Sequence, residues 1–168
     1  MKWVFRGLAG LLALVLVVVL IGYLLPQDHV ATVEEVLPAA PEAVWAAMTD
    51  VEAYPDWRRG VRQVEILPSR EGGLAWREVG ANTMSMGVEE AEPGRRWLAR
   101  ILDDDLPFGG TWTYEIEPEG AGTRVTLTED GSVYNPVFRF VSRFLMGHDA
   151  TMRAWLEDLR AHLGEDAA

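Results

Sequence analysis

From Gly7 to Leu25 the chain runs without a single charge. At about 1.5 Å of rise per helical residue, that run reaches across the roughly 30 Å hydrocarbon core of a bilayer. The pattern predicts a transmembrane helix: an anchor over residues 1–26, crossing the lipid bilayer through 7–25, ahead of a domain over 27–168. A cleaved signal peptide is the rival reading. Its apolar core is about 7–15 residues long and ends at a small-x-small site, whereas this run is longer and leaves through Gly22-Tyr23-Leu24-Leu25-Pro26-Gln27. An uncleaved anchor is therefore the expectation. Lys2 and Arg6 precede the run, no further basic residue appears before Arg58, and Asp28, Glu34 and Glu35 follow it. That asymmetry predicts a single-pass protein with a cytoplasmic N-terminus and its domain in the periplasm or outside the cell.

Beyond the anchor, His29–Leu37 reads as a strand ended by Pro38-Ala39-Ala40-Pro41. Pro41 suits the first turn of a helix, and Val44, Trp45 and Met48 share one face of it. A short second helix is expected near Val51–Tyr54, closed by Pro55. Strands follow in series. Val64 alternates with Ile66, and Leu74 with Trp76 after a turn at Glu71-Gly72-Gly73. Met84, Met86 and Val88 then share a face, as do Trp97, Ala99 and Ile101. Trp112, Tyr114 and Ile116 against Thr111, Thr113 and Glu115 give the clearest period of two, and Val125 and Leu127 complete the set. Short connections between successive strands imply antiparallel hairpins. A long helical region over about Pro136–Leu163 closes the chain, with Gly147 as a point where it bends or splits. The expected fold class is α+β: a curved antiparallel sheet wrapped around a long C-terminal helix.

Charge and composition narrow the functions. Lys2 and Arg6 are two of the 15 basic residues and all 26 acidic ones come later, so the part beyond the anchor carries a net −13. Such a domain is repelled by phosphate backbones, which argues against nucleic acid. With no cysteine, thiolate chemistry and disulfides are excluded. No metal site or cofactor is expected: His-x-x-x-His, Gly-x-Ser-x-Gly and phosphate-binding glycine loops are missing, and Asp103-Asp104-Asp105 lacks the ligand alternation of a calcium loop.

The element order, Pro41-Glu42-Ala43-Val44-Trp45, Thr49-Asp50, Tyr54-Pro55-Asp56-Trp57, Gly122-Thr123-Arg124-Val125-Thr126 and the closing Asn135–Phe140 and Gly147–Met152 segments resemble the START/SRPBCC superfamily, within it the polyketide cyclase/dehydrase and lipid-transport group. The resemblance covers roughly residues 29–163. It implies a helix-grip fold with a hydrophobic cavity between sheet and last helix, holding a lipid, sterol, quinone, polyketide or hormone, with catalysis in a minority of members. The anchor is not part of that pattern.

Candidates to line the cavity are Trp76, Met84, Met86, Trp97, Trp112, Tyr114, His148, Met152 and Trp155, though core packing explains the same alternation. His148 falls on a helical stripe with Val141, Leu145, Met152, Trp155 and Leu159, which predicts an inward imidazole suited to hydrogen bonding or proton transfer. His29 and His162 are expected to be exposed, and Arg77, Arg96 and Arg100 to pair with surface carboxylates. The expectation is a membrane-anchored domain binding a small hydrophobic or amphipathic ligand. The alternatives are a cyclase or dehydratase using His148, and a protein-interaction module without a ligand, its partner unspecified.

Overall fold

A computed structural model describes residues 2–68 and 73–165. Helix α1 (Lys2–Leu24) leads. Among the described residues it is the one helix long and apolar enough to cross a membrane, a character that signal sequences share. Strand β1 (Asp28–Leu37) follows, then α2 (Pro41–Thr49), a single 3-10 turn (Val51–Ala53) and α3 (Tyr54–Trp57). Six further strands come next: β2 (Val61–Leu67), β3 (Ala75–Gly80), β4 (Met84–Glu92), β5 (Arg96–Ile101), β6 (Phe108–Glu119) and β7 (Gly122–Val133).

All seven strands form one curved antiparallel sheet in the order β1-β7-β6-β5-β4-β3-β2. The first strand closes against the last, from Asp28 opposite Ser132 to Leu37 opposite Thr123. The alternation in the sequence sets which residues point in. Trp97 and Ala99, Tyr114 and Ile116, and Val125 and Leu127 are all buried, as period two requires of a sheet with one covered face. Ile66 is an exception to this inward set. It sits on the edge strand β2, and despite facing Trp76 it stays largely exposed. The turn expected at Glu71-Gly72-Gly73 falls largely outside the described residues.

Pro41 opens α2, whose Val44 and Met48 are fully buried. Pro55 does not close a helix, as the sequence suggested, but sits in the first turn of α3. A proline is tolerated there because the missing N–H has no partner to lose. The Tyr54 hydroxyl donates to the Met48 carbonyl at 2.6 Å, tying α3 to α2.

The long closing helix is two pieces. Asn135 accepts from the Val137 and Phe138 amides and starts α4 (Pro136–Val141), which runs on as one wide π turn (Ser142–Met146). Gly147, at φ 79°, ends it. Helix α5 (Ala150–Glu165) then crosses the concave face of the sheet and buries Met152, Trp155, Leu156, Leu159 and Leu163. An aromatic row links sheet to helix: Trp76 stacks on Trp97 at 5.6 Å, Trp97 meets Tyr114 at 5.6 Å, and Tyr114 meets Trp155 at 4.9 Å between ring centroids.

Candidate functional site

Where α5 stops short of the sheet, a cavity of about 320 Å³ remains. Its walls come from β3 to β7 and His29 of β1 on one side and from α3, α4, the π turn and the start of α5 on the other. Met84, Met86, Ile101, Phe108, Val141 and Met146 make most of it apolar, the usual character of a small-molecule site.

The apolar walls enclose an ion pair. Arg58, just after α3, reaches Glu78 of β3 at 2.6 Å, with the two side chains 16% and 6% exposed. Trp76 Nε1 donates to the same Glu78 oxygen at 3.0 Å, and the guanidinium lies 4.7 Å from the centre of the Tyr54 ring. Burial is the largest single influence on Arg58 and works against its charge, but Glu78, Tyr54 and Tyr114 together outweigh it and hold the pKa above the ordinary arginine value. Burial raises the phenol pKa of both Tyr54 and Tyr114 well above the usual range, so both stay protonated. The cavity thus has a charged but neutralised floor, with the hydroxyl-bearing ring of Tyr114 beside it.

A second polar group lies on the same cavity wall. His29 of β1 and His148 stack at 4.0 Å between ring centroids, and His29 Nε2 lies 3.9 Å from Glu129 of β7. Burial lowers both histidine pKa values, for His29 with help from His148 and for His148 with help from Arg143. Burial raises that of Glu129, against a hydrogen bond from Trp112. Two neutral imidazoles beside a partly buried carboxyl can accept hydrogen bonds and move protons.

The structure brings Trp76, Met84, Met86, Trp112, Tyr114 and His148 together around this cavity. It places Trp97, Met152 and Trp155 elsewhere, in the core. Trp97 is sandwiched between Trp76 and Tyr114, and Met152 and Trp155 fill the space directly between α5 and the sheet. His148 reaches the cavity, but not from a helical stripe. It stands in the non-helical break after Gly147, and Leu145 of the expected stripe is exposed. His29 is half-buried rather than exposed, and His162 is likewise half-buried, stacked on Trp57 at 5.5 Å.

Arg58, Glu78 and Glu129 were missed, yet two left a trace in the sequence. Glu78 is in phase with inward Trp76, and Glu129 with inward Val125 and Leu127. A carboxylate on the apolar side of a strand needs a partner. Arg77, Arg96 and Arg100 pair on the surface with Glu65, Glu90 and Glu89. Asp103 accepts from the Ser85 amide, and no cluster able to hold a metal ion occurs among the described residues. A wider cleft of about 520 Å³ between α2 and the end of α5 is open and lined largely by alanines, without the converging polar groups of the inner cavity.

Fold and cavity define a helix-grip domain of the START type. The family model for polyketide cyclase / dehydrase and lipid transport matches residues 28–164, and the chain belongs to that family. Among solved structures, it is similar to the protein TTHA0849 of Thermus thermophilus, with 21% identity, 83% of this chain and 100% of that one covered and a TM-score of 0.68. It is also similar to a START superfamily protein from Mycobacterium smegmatis, with 18% identity, 83% and 99% covered and a TM-score of 0.61. The di-domain ARO/CYC StfQ of the steffimycin biosynthetic pathway aligns with 11% identity and a TM-score of 0.68, over 84% of this chain; the chain spans about half (52%) of that protein. No curated protein matches by sequence.

Proposed function

We propose that the chain is a membrane-anchored binding domain for a small amphipathic molecule: a lipid, a quinone or a polyketide-like compound. The observation that carries this reading is the cavity, apolar around a buried ion pair. An apolar body that buries about 200 Å² of its surface gains about 5 kcal/mol. One hydrogen bond to a charged group adds about 2 kcal/mol, and the cost of immobilising the ligand is subtracted from this gross gain. The polar end belongs at Arg58, Glu78 and Tyr114, the apolar end against Met84, Ile101 and Met146. Helix α1 holds the domain at the bilayer, with Lys2 and Arg6 on the cytoplasmic side and the domain outside. Tethering raises the concentration of cavity beside a bilayer-borne ligand.

The open cavity supports this reading over an interaction module without a ligand. A cyclase or dehydratase is the second reading, supported by the neutral imidazoles of His29 and His148. In that case His148→Gln abolishes turnover and leaves binding intact. The test of binding is native mass spectrometry and lipid extraction on the full chain released from nanodiscs. A stoichiometric small molecule is expected on the parent and absent from the cavity-filling variant Met84→Trp/Ile101→Trp. A parent that is empty and takes up neither added fatty acid nor quinone refutes the reading.

A further inference from the structure

The last turn of α1 is fixed to the domain at one place. Gly22 is the one residue of α1 buried against it, and a Cβ there would stand 1.9 Å from the Pro136 carbonyl oxygen. Only a glycine permits that approach. Arg139 of α4 completes the joint. Its guanidinium lies 3.4 Å from the carbonyl oxygens of both Gly22 and Leu25, while also donating to Val133 at 2.7 Å and Tyr134 at 2.9 Å. A cation on the unpaired carbonyls at a helix C-terminus is stabilising, so anchor and domain are held at one angle.

The segment so fixed is unlike the rest of the domain surface. Between Tyr134 and Met146, six large apolar side chains stand exposed, with Phe144 at 56%, Leu145 at 73% and Met146 at 62%. The same stretch carries Arg139 and Arg143 and no acid, in a domain of net −13. Apolar side chains beside arginines on a short helical segment are the composition of elements that lie in the plane of a membrane interface. The level also agrees. If α1 spans the bilayer, Gly22 lies about 5 Å below Leu25 along the helix, which puts α4 within the ~5–10 Å depth at which such elements sit.

We infer that the segment from Tyr134 to Met146 lies in the membrane interface, its apolar ridge among the acyl chains and the exposed Arg143 at phosphate-bearing headgroups, while Arg139 stays engaged at the joint. The inference rests on α1 being a membrane anchor. Its consequence follows from which residues line the cavity. Phe138, Val141, Ser142 and Met146 form part of the cavity wall, so a ligand passes between cavity and bilayer beside this ridge without crossing bulk water.

The chain has no cysteine, so a single introduced one carries a unique fluorophore. Leu145→Cys reports the ridge, Leu14→Cys the middle of the anchor, and Ile66→Cys the far edge of the sheet. The full chain is placed in vesicles of phosphatidylethanolamine and phosphatidylglycerol, with nitroxide lipids labelled near the headgroup or at the chain end, and with iodide in the water. The label at Leu145 should be quenched several-fold more by the headgroup nitroxide than by iodide, that at Leu14 by the chain-end nitroxide, and that at Ile66 by iodide alone. If Leu145 is open to iodide while Leu14 is quenched in the bilayer, the anchor stands and the inference is overturned. If Leu145 escapes both iodide and nitroxides, a protein or a second copy covers the ridge, which also overturns it. If Leu14 is not quenched by lipid, the anchor reading and the inference fall together.

Discussion

Glu78→Gln tests the floor of the cavity most directly. The amide keeps the shape of the side chain and an oxygen for the Trp76 indole, which donates at 3.0 Å. What it removes is the negative charge 2.6 Å from the Arg58 guanidinium. Deleting one member of a fully enclosed ion pair destabilises by about 3–5 kcal/mol, because the survivor keeps an uncompensated charge away from water. Arg58 is not fully enclosed: its side chain is 16% exposed on the cavity side, and it retains the Tyr54 ring at 4.7 Å, a contact of about 1 kcal/mol. The expected loss is therefore about 2–3 kcal/mol. For a chain of this size about 2–4 °C of Tm accompanies each kcal/mol, so Tm should fall by about 4–12 °C.

The double variant Arg58→Met/Glu78→Leu separates pairing from packing. Replacing both charges by apolar groups of similar size is neutral or stabilising in comparable sites, so it should unfold within about 1 kcal/mol of the parent and above Glu78→Gln. The assay is thermal and urea unfolding of the full chain in detergent micelles, followed by near-UV circular dichroism from the aromatic row. A Glu78→Gln variant indistinguishable from the parent, or a double variant as unstable as the single one, would refute the argument that the pair is desolvated.

Three other outcomes are expected. Gly147→Ala forces a side chain into φ 79° and ψ 152°, a region adopted almost only by glycine, at about 1–3 kcal/mol, and calorimetry should show a Tm drop of about 2–12 °C; an unchanged Tm means that the break relaxes without strain. Gly22→Leu leaves no room against Pro136, so amide exchange over 137–141 should accelerate while β6 and β7 stay protected, and uniform protection would contradict the joint. For pH, His29 and His148 have folded pKa values below 6.5, chiefly from burial, so the unfolded chain binds more protons as the pH falls. Their contribution is complete above about pH 6.5 and is lost below it. Glu129, whose carboxyl is raised by burial, has the opposite sign, as a folded state that protonates first gains stability on acidification. The histidine part is therefore the difference between the parent and His29→Gln/His148→Gln, which should widen against the parent below pH 6.5; parallel curves would dismiss it.

Period two was enough to find the sheet, because the strands from β5 to β7 have one face covered and leave the other at least partly in solvent. Leu127 and Tyr114 could point only one way. The apolar run of α1 and the two-part closing helix were equally legible, the latter through Gly147. What alternation does not encode is whether an inward residue meets another side chain or empty space. Trp97 and Trp112 lie in phase on neighbouring strands, yet Trp97 is core and Trp112 is cavity wall. The difference depends on where α5 lies across the sheet, a tertiary property. Arg58 and Glu78 were obscure for a related reason. Each is one of many charges in a charged sequence, and only the β3 register, with Glu78 two residues from Trp76, marks the carboxylate as inward.

The break at Gly147 connects these observations. Had the chain stayed helical from Pro136 to Leu163, as its apolar spacing suggested, a single rod would have carried Phe144, Leu145 and His148 along the sheet. At a positive φ the direction changes instead. The sixteen residues of α5 cover only part of the concave face, and the segment before the break turns outward to meet α1. The part of the sheet left uncovered, in front of Met84, Ile101 and Phe108, is the cavity. The side chains released from packing, Phe144 to Met146, are the exposed ridge. One glycine conformation thus accounts both for the empty volume and for the apolar surface beside it. A chain that merely needed a filled core would gain from closing this gap, since each buried methylene contributes about 0.8 kcal/mol. Its persistence in a domain without disulfides is an argument that the volume is used.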